Sequence, residues 1–417
     1  MNKIENLINK YCPNGVKFKQ LNEIVYSINT GLNPRRNFKL NDINADCYYV
    51  TVKEITSGKI KFSNKTDRIT KEAVNIIQNR SKLEKGDVLL SGIGTIGKVA
   101  LVDIDTSNWN CSESVLLLKP RKEILLSKFL LYILQSQQIQ DIFYSKSVGS
   151  TLKGLRKDFL SSILIPLPPL EVQREIVRIL DNFTELEAEL EAELEARKQQ
   201  YEYYRDKLFD FDENDTSIKF MTLGEIATDI YRGAGIKRED VTDKGIPCVR
   251  YGEIYTTYNI WFDKCVSYTT ENAIKTKKYF EYGDILFAIT GESVEDIAKS
   301  CTYVGKEKCL AGGDIVVMKH NLNPKYLAYA LSTTDAKKQK GKGKLKTKVV
   351  HSSVPYIQKI RIPVPPIEEQ ERIVKILDNF DKLVNDITEG LPAEIEMHHQ
   401  RYEYYRNKLL NFKNIKD

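Results

Sequence analysis

The sequence carries one pattern twice. Ile165-Pro-Leu-Pro-Pro-Leu-Glu-Val-Gln-Arg-Glu-Ile-Val-Arg-Ile-Leu-Asp-Asn-Phe183 returns as Ile362-Pro-Val-Pro-Pro-Ile-Glu-Glu-Gln-Glu-Arg-Ile-Val-Lys-Ile-Leu-Asp-Asn-Phe380. Gln200-Tyr-Glu-Tyr-Tyr-Arg-Asp-Lys-Leu208 likewise returns as Arg401-Tyr-Glu-Tyr-Tyr-Arg-Asn-Lys-Leu409. A chain of 417 residues with 41% hydrophobic content can bury two ordinary cores, so the duplication implies two related domains.

The repeat reaches back into both halves. Gly86-Asp-Val-Leu-Leu matches Gly283-Asp-Ile-Leu-Phe, and Lys128-Phe-Leu-Leu-Tyr-Ile-Leu134 matches Lys325-Tyr-Leu-Ala-Tyr-Ala-Leu331. Between these anchors the offset drifts, with Lys53-Glu-Ile55 set against Gly252-Glu-Ile254. A shared framework with divergent loops is how one scaffold presents two different binding surfaces. Each half reads as mixed α/β. Strand-like runs at 47–52, 87–90, 98–102 and 114–118 are bounded by Gly, Asn and Asp, and a helix follows over 127–143. Ser127 is expected to cap that helix, and Asn323 before Pro324 to cap its counterpart.

After each Pro-Pro the pattern becomes a long helix. Ile176, Leu180, Phe183, Leu190, Leu194, Tyr201, Tyr204, Leu208 and Phe211 fall on steps of four and three, broken only by Glu187 and Arg197. The second seam runs from Ile373 through Leu377, Phe380, Val384, Ile387, Leu391, Ile395, His398, Tyr402 and Tyr405 to Leu409 and Phe412. It holds four more residues than the first, a stutter that includes Gly390-Leu-Pro392, where a kink or break is expected. The expected architecture is two copies of an α/β (α+β) domain joined by two long antiparallel coiled-coil helices, with a pseudo-twofold internal repeat. The expected boundaries are 1–165 and 214–362 for the domains, and 166–213 and 363–417 for the helices.

The net charge of +6 is unevenly placed. Residues 171–211 carry twelve acids against six bases and residues 368–411 ten against six, so the remainder carries +16. Basic domains suit a polyanion, and acidic helices suit a protein partner. Seven scattered cysteines without a Cys-x-x-Cys, and four histidines, point to reduced structural thiols and no metal site. No apolar run is long enough to span a bilayer, and the N-terminal residues lack a signal-peptide pattern, so a cytoplasmic location is expected.

Gly92-Ile-Gly-Thr-Ile-Gly97-Lys98 satisfies G-x-G-x-x-G, but Lys98-Val-Ala-Leu-Val102 continues as a strand. Both nucleotide-binding readings of the motif need a helix there, so a turn between strands is expected. No catalytic set occurs: H-E-x-x-H, G-x-S-x-G, a complete Walker motif and the Pro-Pro-Tyr type of amino-methyltransferase motif are all absent. Basic and hydroxyl side chains recur in turn-rich stretches of both halves. The candidate DNA contacts are Arg35, Arg36, Thr95, Lys98, Ser150, Thr151 and Lys153 in the first half. In the second they are Arg232, Lys237, Arg238, Lys342, Lys344 and Lys346, the last three placed on a glycine-rich loop and assigned to phosphate. Tyr201, Tyr204, Tyr402 and Tyr405 belong to the seams. Off them, Tyr203, Arg205, Tyr404 and Arg406 are candidates for docking a partner subunit.

With the duplicated Pro-Pro-x-x-x-Gln…Leu-Asp-Asn-Phe block (Pro168 to Phe183, Pro365 to Phe380) and the Tyr-x-Tyr-Tyr-Arg-x-Lys-Leu segments, the whole chain resembles the specificity subunit of a type I restriction–modification enzyme. The resemblance implies that each recognition domain reads one half of a bipartite double-stranded DNA target and that the paired helices act as spacer. Two methylation subunits would dock on the helices, bringing S-adenosylmethionine and adenine-N6 chemistry. Restriction subunits would add ATP- and magnesium-dependent translocation and cleavage. The chain itself would be non-catalytic and bind no cofactor. The alternative reading is a two-domain protein-binding adaptor on a coiled-coil spacer with no DNA role, and the +16 of the domains argues against it.

Overall fold

The computed structural model describes residues 2–35, 37–147, 154–291, 297–341, 344–346, 349–386 and 388–415, the side chains of residues 2, 273, 344–346 and 349 excepted. The chain divides into two compact units, Met1–Leu190 with Ile395–Asp417, and Glu191–Glu394. These units cut across the expected linear boundaries, because each takes part of its helical layer from each repeat.

The first domain is built on an antiparallel sheet of β1 (Val25–Thr30), β2 (Val88–Ser91), β3 (Val99–Leu101) and β4 (Val115–Pro120), in the order β1-β4-β2-β3. β4 is apolar on both faces and buried along its length except at Lys119, as a central strand covered on two sides should be. A three-stranded sheet lies beside it, with Cys47–Val50 at its centre, parallel to Trp109–Cys111 and antiparallel to Arg68–Ile69. The helix expected over 127–143 is two helices, α1 (Ser127–Gln135) and α2 (Gln137–Lys146), because Ser136 is extended and its hydroxyl donates to Ile133 O at 2.7 Å. Ser127 is no cap. Its hydroxyl donates to Gly86 O at 2.6 Å, and Leu126 holds the cap position.

After the strand pair Phe18–Gln20 and Leu164–Pro166, the chain enters α3 (Leu170–Leu208), a single helix of 39 residues. Pro169 O accepts the amides of Val172 and Gln173 at the start of that helix. Gln173 is wholly buried and bridges three backbone groups. Its Oε1 accepts Leu126 N at 2.9 Å, and its Nε2 donates to Ile124 O and Pro168 O, both at 2.8 Å. A buried amide satisfied in this way pins α3 to the start of α1.

The second unit repeats the plan. Its sheet contains β5 (Asp229–Arg232), β6 (Trp261–Phe262), β7 (Ile285–Ala288), β8 (Ser300–Tyr303) and β9 (Ile315–Lys319), in the order β5-β9-β7-β8-β6. A five-stranded sheet accompanies it, with Ile246–Val249 parallel to Cys309–Ala311. Then come α4 (Pro324–Ala330), α5 (Thr334–Lys340), α6 (Ile367–Asn385) and α7 (Leu391–Leu410). Asn323 caps α4 as expected, accepting Tyr326 N at 3.1 Å with Pro324 behind it. Gln370 does for α6 what Gln173 does for α3, accepting Asn323 N at 3.1 Å and donating to Pro365 O at 2.8 Å.

α6 and α7 are separate helices, and Gly390 N bonds Asp386 O at 3.0 Å between them. A side chain at Gly390 would meet Lys382 O at 2.5 Å, so the break needs glycine. Ile387 lies outside the described residues. Within each unit the helices pack antiparallel. In the first, Phe183 meets Tyr405 at 5.4 Å and Val172, Ile176 and Leu180 share a core with Tyr402, Leu409 and Leu410. In the second, Tyr201 and Phe209 share a core with Ile373, Leu377 and Val384.

Candidate nucleic-acid interface

Both recognition domains use one device to bring a basic loop against a parallel strand pair. Gly31 packs so closely on the Trp109–Cys111 strand that a Cβ would sit 1.7 Å from Cys111 O, and Gly233 would place one 2.2 Å from Gly312 O. Leu32 N then donates to Cys111 O, and Ala234 N to Ala311 O. Neither loop could be displaced outward without losing these bonds, so glycine at the two positions is a matter of clearance.

In the first unit this presents Arg35 to solvent with no ion pair among the described residues. The buried Tyr49 hydroxyl, kept protonated because burial pushes its pKa up, donates to Leu32 O at 2.7 Å from below. Asn33 donates to Glu113 at the loop's flank. Thr95 is exposed at the tip of the 92–98 turn between β2 and β3, which is the strand–turn–strand the glycine motif was expected to form. Lys98 does not project freely: its ammonium donates to Val52 O at 3.2 Å. Arg36, Ser150, Thr151 and Lys153 lie outside the described residues.

In the second unit Arg232 is engaged by Asp314 and by Gly313 O, while Lys237 and Arg238 stand exposed on a short 3₁₀ turn. Lys237 faces Glu239 at 3.5 Å, a surface ion pair worth little. Lys342 lies outside the described residues. Lys344 and Lys346 are not on a loop as expected: residues 344–346 form a strand antiparallel to Val349–His351, which also pairs with Thr290–Gly291. The pairing fixes their backbone, and their side chains are outside the description.

Sequence reasoning missed the feature that brings Arg238 into a site. A cavity of about 710 Å³ is lined by Arg238, Arg250, Tyr251, Gly235, Gly252 and Gly312 among others. Nothing lies within 4 Å of where Gly235 or Gly252 would carry a side chain, so its walls are open. Arg250 precedes the helix Tyr251–Thr256, and Glu253 accepts its amide at 3.1 Å and its Nε at 3.2 Å. In the first domain the aligned Glu54 accepts the amide and the hydroxyl of Thr51, both at 2.8 Å. One buried glutamate thus anchors a different side chain in each copy, threonine in one and arginine in the other. The signal was present in the Lys53-Glu-Ile and Gly252-Glu-Ile match, two residues downstream of the difference.

On the helices, Tyr203 and Tyr404 are each 60% exposed. Each packs edge-on against its neighbour, Tyr204 or Tyr405, with Lys207 or Lys408 over its ring at 5.8 Å. Arg205 and Arg406 depart from expectation. They are buried, over the rings of Tyr201 and Tyr402 at 5.7 and 5.1 Å, and serve the packing of their own units. Tyr204, placed in the seam by its spacing, remains 41% exposed while stacking on Phe380.

Comparison with known proteins agrees with this geometry. The family model described as the type I restriction modification DNA specificity domain matches twice, over residues 13–196 and 216–397. A putative type I restriction enzyme specificity subunit of Haemophilus influenzae is 36% identical over 304 residues, covering 70% of this chain and 74% of its own length. The EcoR124I/EcoR124II specificity subunit of Escherichia coli is 35% identical over 253 residues, 59% of this chain and 61% of its own. A solved structure from a study of complex assembly and conformational transition of the type I R-M system superposes with a TM-score of 0.63 at 18% identity. It covers 96% of this chain and 98% of its own, a likeness of fold.

Proposed function

The chain belongs to the type I restriction–modification DNA specificity family, and from that premise we propose that each recognition domain reads one half of a bipartite double-stranded DNA target. The observation that carries this reading is the pair Thr51 and Arg250, held by equivalent glutamates on equivalent frameworks but chemically unlike. Arginine can grip a guanine edge with two parallel bonds, and threonine cannot. The adaptor reading without DNA finds no support in the comparisons.

The chain's share in the reaction is recognition. Methylation subunits dock on the helical layers, and the matching Tyr203–Lys207 and Tyr404–Lys408 surfaces support two copies of one partner. Those subunits bring S-adenosylmethionine, and restriction subunits bring ATP- and magnesium-dependent work. The helices act as spacer between the two readings. Among the described residues no helix is long and apolar enough to cross a membrane.

The test is an exchange of residues 1–165 for those of another family member, followed by mapping of methylated adenines in a host carrying the complex. One half of the recognised sequence changes and the other is retained. A change in both halves, or in neither, overturns the reading.

A further inference from the structure

Lys340, the last residue of α5, is only 7% exposed and has no carboxylate partner among the described residues. Its ammonium donates to Ser300 Oγ at 2.9 Å and to Leu331 O at 2.8 Å, both neutral acceptors. A buried cation so placed is costly, and a framework that needed only a filled core would not choose it. The first repeat shows the apolar solution. The position 197 residues earlier is Phe143, fully buried, and the strand position aligned with Ser300 is Val99, also buried in the same core. The second copy has therefore replaced an apolar pair by an amine and a hydroxyl.

The replacement lines a cavity of about 460 Å³ within the second unit, between residues 198–205 of α3 and the recognition domain. Tyr201 lines the same cavity, and its buried hydroxyl has no hydrogen-bond partner among the described residues. A buried hydroxyl left unpaired in this way is an open demand for a ligand atom. Arg205, Lys299 and the exposed Lys337 also line the cavity, and Glu202 is the one acid among the described lining residues. Burial above all, then the charge of Lys337 and to a lesser degree that of Lys299, pulls the Lys340 amine down to about 7. An anion between them would relieve that repulsion.

We propose that this cavity binds a small phosphate-bearing anion, with Lys340 and Lys337 supplying charge and the Tyr201 hydroxyl donating a hydrogen bond. The volume suits an oligophosphate or a nucleotide. The site is separate from the proposed base-reading cavity at Arg238 and Arg250, and the proposal does not rest on how DNA is read.

The experiment is calorimetric titration of the intact chain with pyrophosphate near neutral pH. Saturable binding is expected, weakened about tenfold or more in Lys340→Met and about threefold in Tyr201→Phe and in Lys337→Gln. Lys337 is on the surface, so Lys337→Gln stays folded and keeps the test decisive if a core variant does not. Absence of saturable binding overturns the site, as does unchanged affinity in the folded variants. Random-sequence duplex is added as competitor. Retained pyrophosphate supports a small-anion site, and full displacement assigns these cations to the DNA backbone and overturns it.

Discussion

The Tyr132 hydroxyl donates to Asp181 Oδ1 at 2.7 Å, joining α1 to α3 across the core of the first unit. Lys128 takes the other oxygen at 2.6 Å, so the carboxylate is shared between two turns of one helix. In the second unit Tyr329 and Lys325 divide Asp378 in the same way, each at 2.7 Å. Tyr132 is buried, and its hydroxyl is held protonated by burial and by the carboxylate beside it. Asp181→Ala would strand that hydroxyl and cost the first unit about 2–3 kcal/mol, with Tyr132→Phe costing about 1. Urea titration of both variants checks the order, and a larger loss in Tyr132→Phe would reverse the assignment.

Gln173→Ala leaves one amide and two carbonyls unpaired at the junction of α1 and α3. The expected loss is about 2–4 kcal/mol, confined to the first unit. Gln370→Ala strands one amide and one carbonyl in the second unit, a smaller loss. Hydrogen exchange resolved by segment tells whether the opening stays within one unit, and uniform loss of protection across both units would contradict the separation.

Lys340→Met is expected to stabilise the second unit near neutral pH. The folded amine titrates at about 7, while the unfolded amine stays protonated up to about 10.4. Between those limits folding expels a proton, so this group's penalty is greatest at and below about pH 7 and fades as pH rises. The variant should gain about 2–3 kcal/mol near pH 7 and much less near pH 10, after the loss of two hydrogen bonds. Denaturation at the two pH values measures it, and a gain that grows with pH would have the wrong sign.

Arg250→Ala should relax discrimination at one half-site by about 1–3 kcal/mol and leave the other untouched. If the substitution instead weakens every sequence alike and flattens the salt dependence by about one unit, Arg250 contacts phosphate.

Tyr203→Ala with Tyr404→Ala should leave the chain as stable as before, because both rings stand in solvent. The pair should abolish copurification with methylation subunits. Arg205→Ala should do the opposite, destabilising its own unit through lost packing over Tyr201. Intact assembly in the double tyrosine variant would move the docking surface elsewhere.

The duplication, the long helices, the strand after Gly97 and the Asn323 cap were all legible, because each rests on local rules of period, proline and capping. What escaped was set by distance in space. Tyr132 and Asp181 lie in two repeated motifs that read as separate anchors, and only folding shows them to be two ends of one bond. Arg205 and Arg406 were misplaced by a small angle. A strict alternation of four and three keeps the seam at Tyr204, whereas the packed stretches bury Tyr201, Arg205 and Phe209, and His398, Tyr402, Arg406 and Leu410, in steps of four. The candidate base-reading site was legible only as divergence beside Glu54 and Glu253. Its cavity depends on glycines from three separate stretches, which no spacing rule brings together.

The first unit closes with residues from the far end of the numbering. Val16 N donates to Lys413 O at 2.9 Å and Ile415 N to Val16 O at 3.0 Å, and Tyr402, Leu409 and Leu410 fill its core. During synthesis the domain that leaves the ribosome first is thus the last to be finished. It must wait, with part of its apolar helix uncovered, until the whole second unit has been made. A chain interrupted midway is left with one face of α3 unsealed, its apolar residues Val172, Ile176 and Leu180 lacking the helix that covers them in the finished molecule.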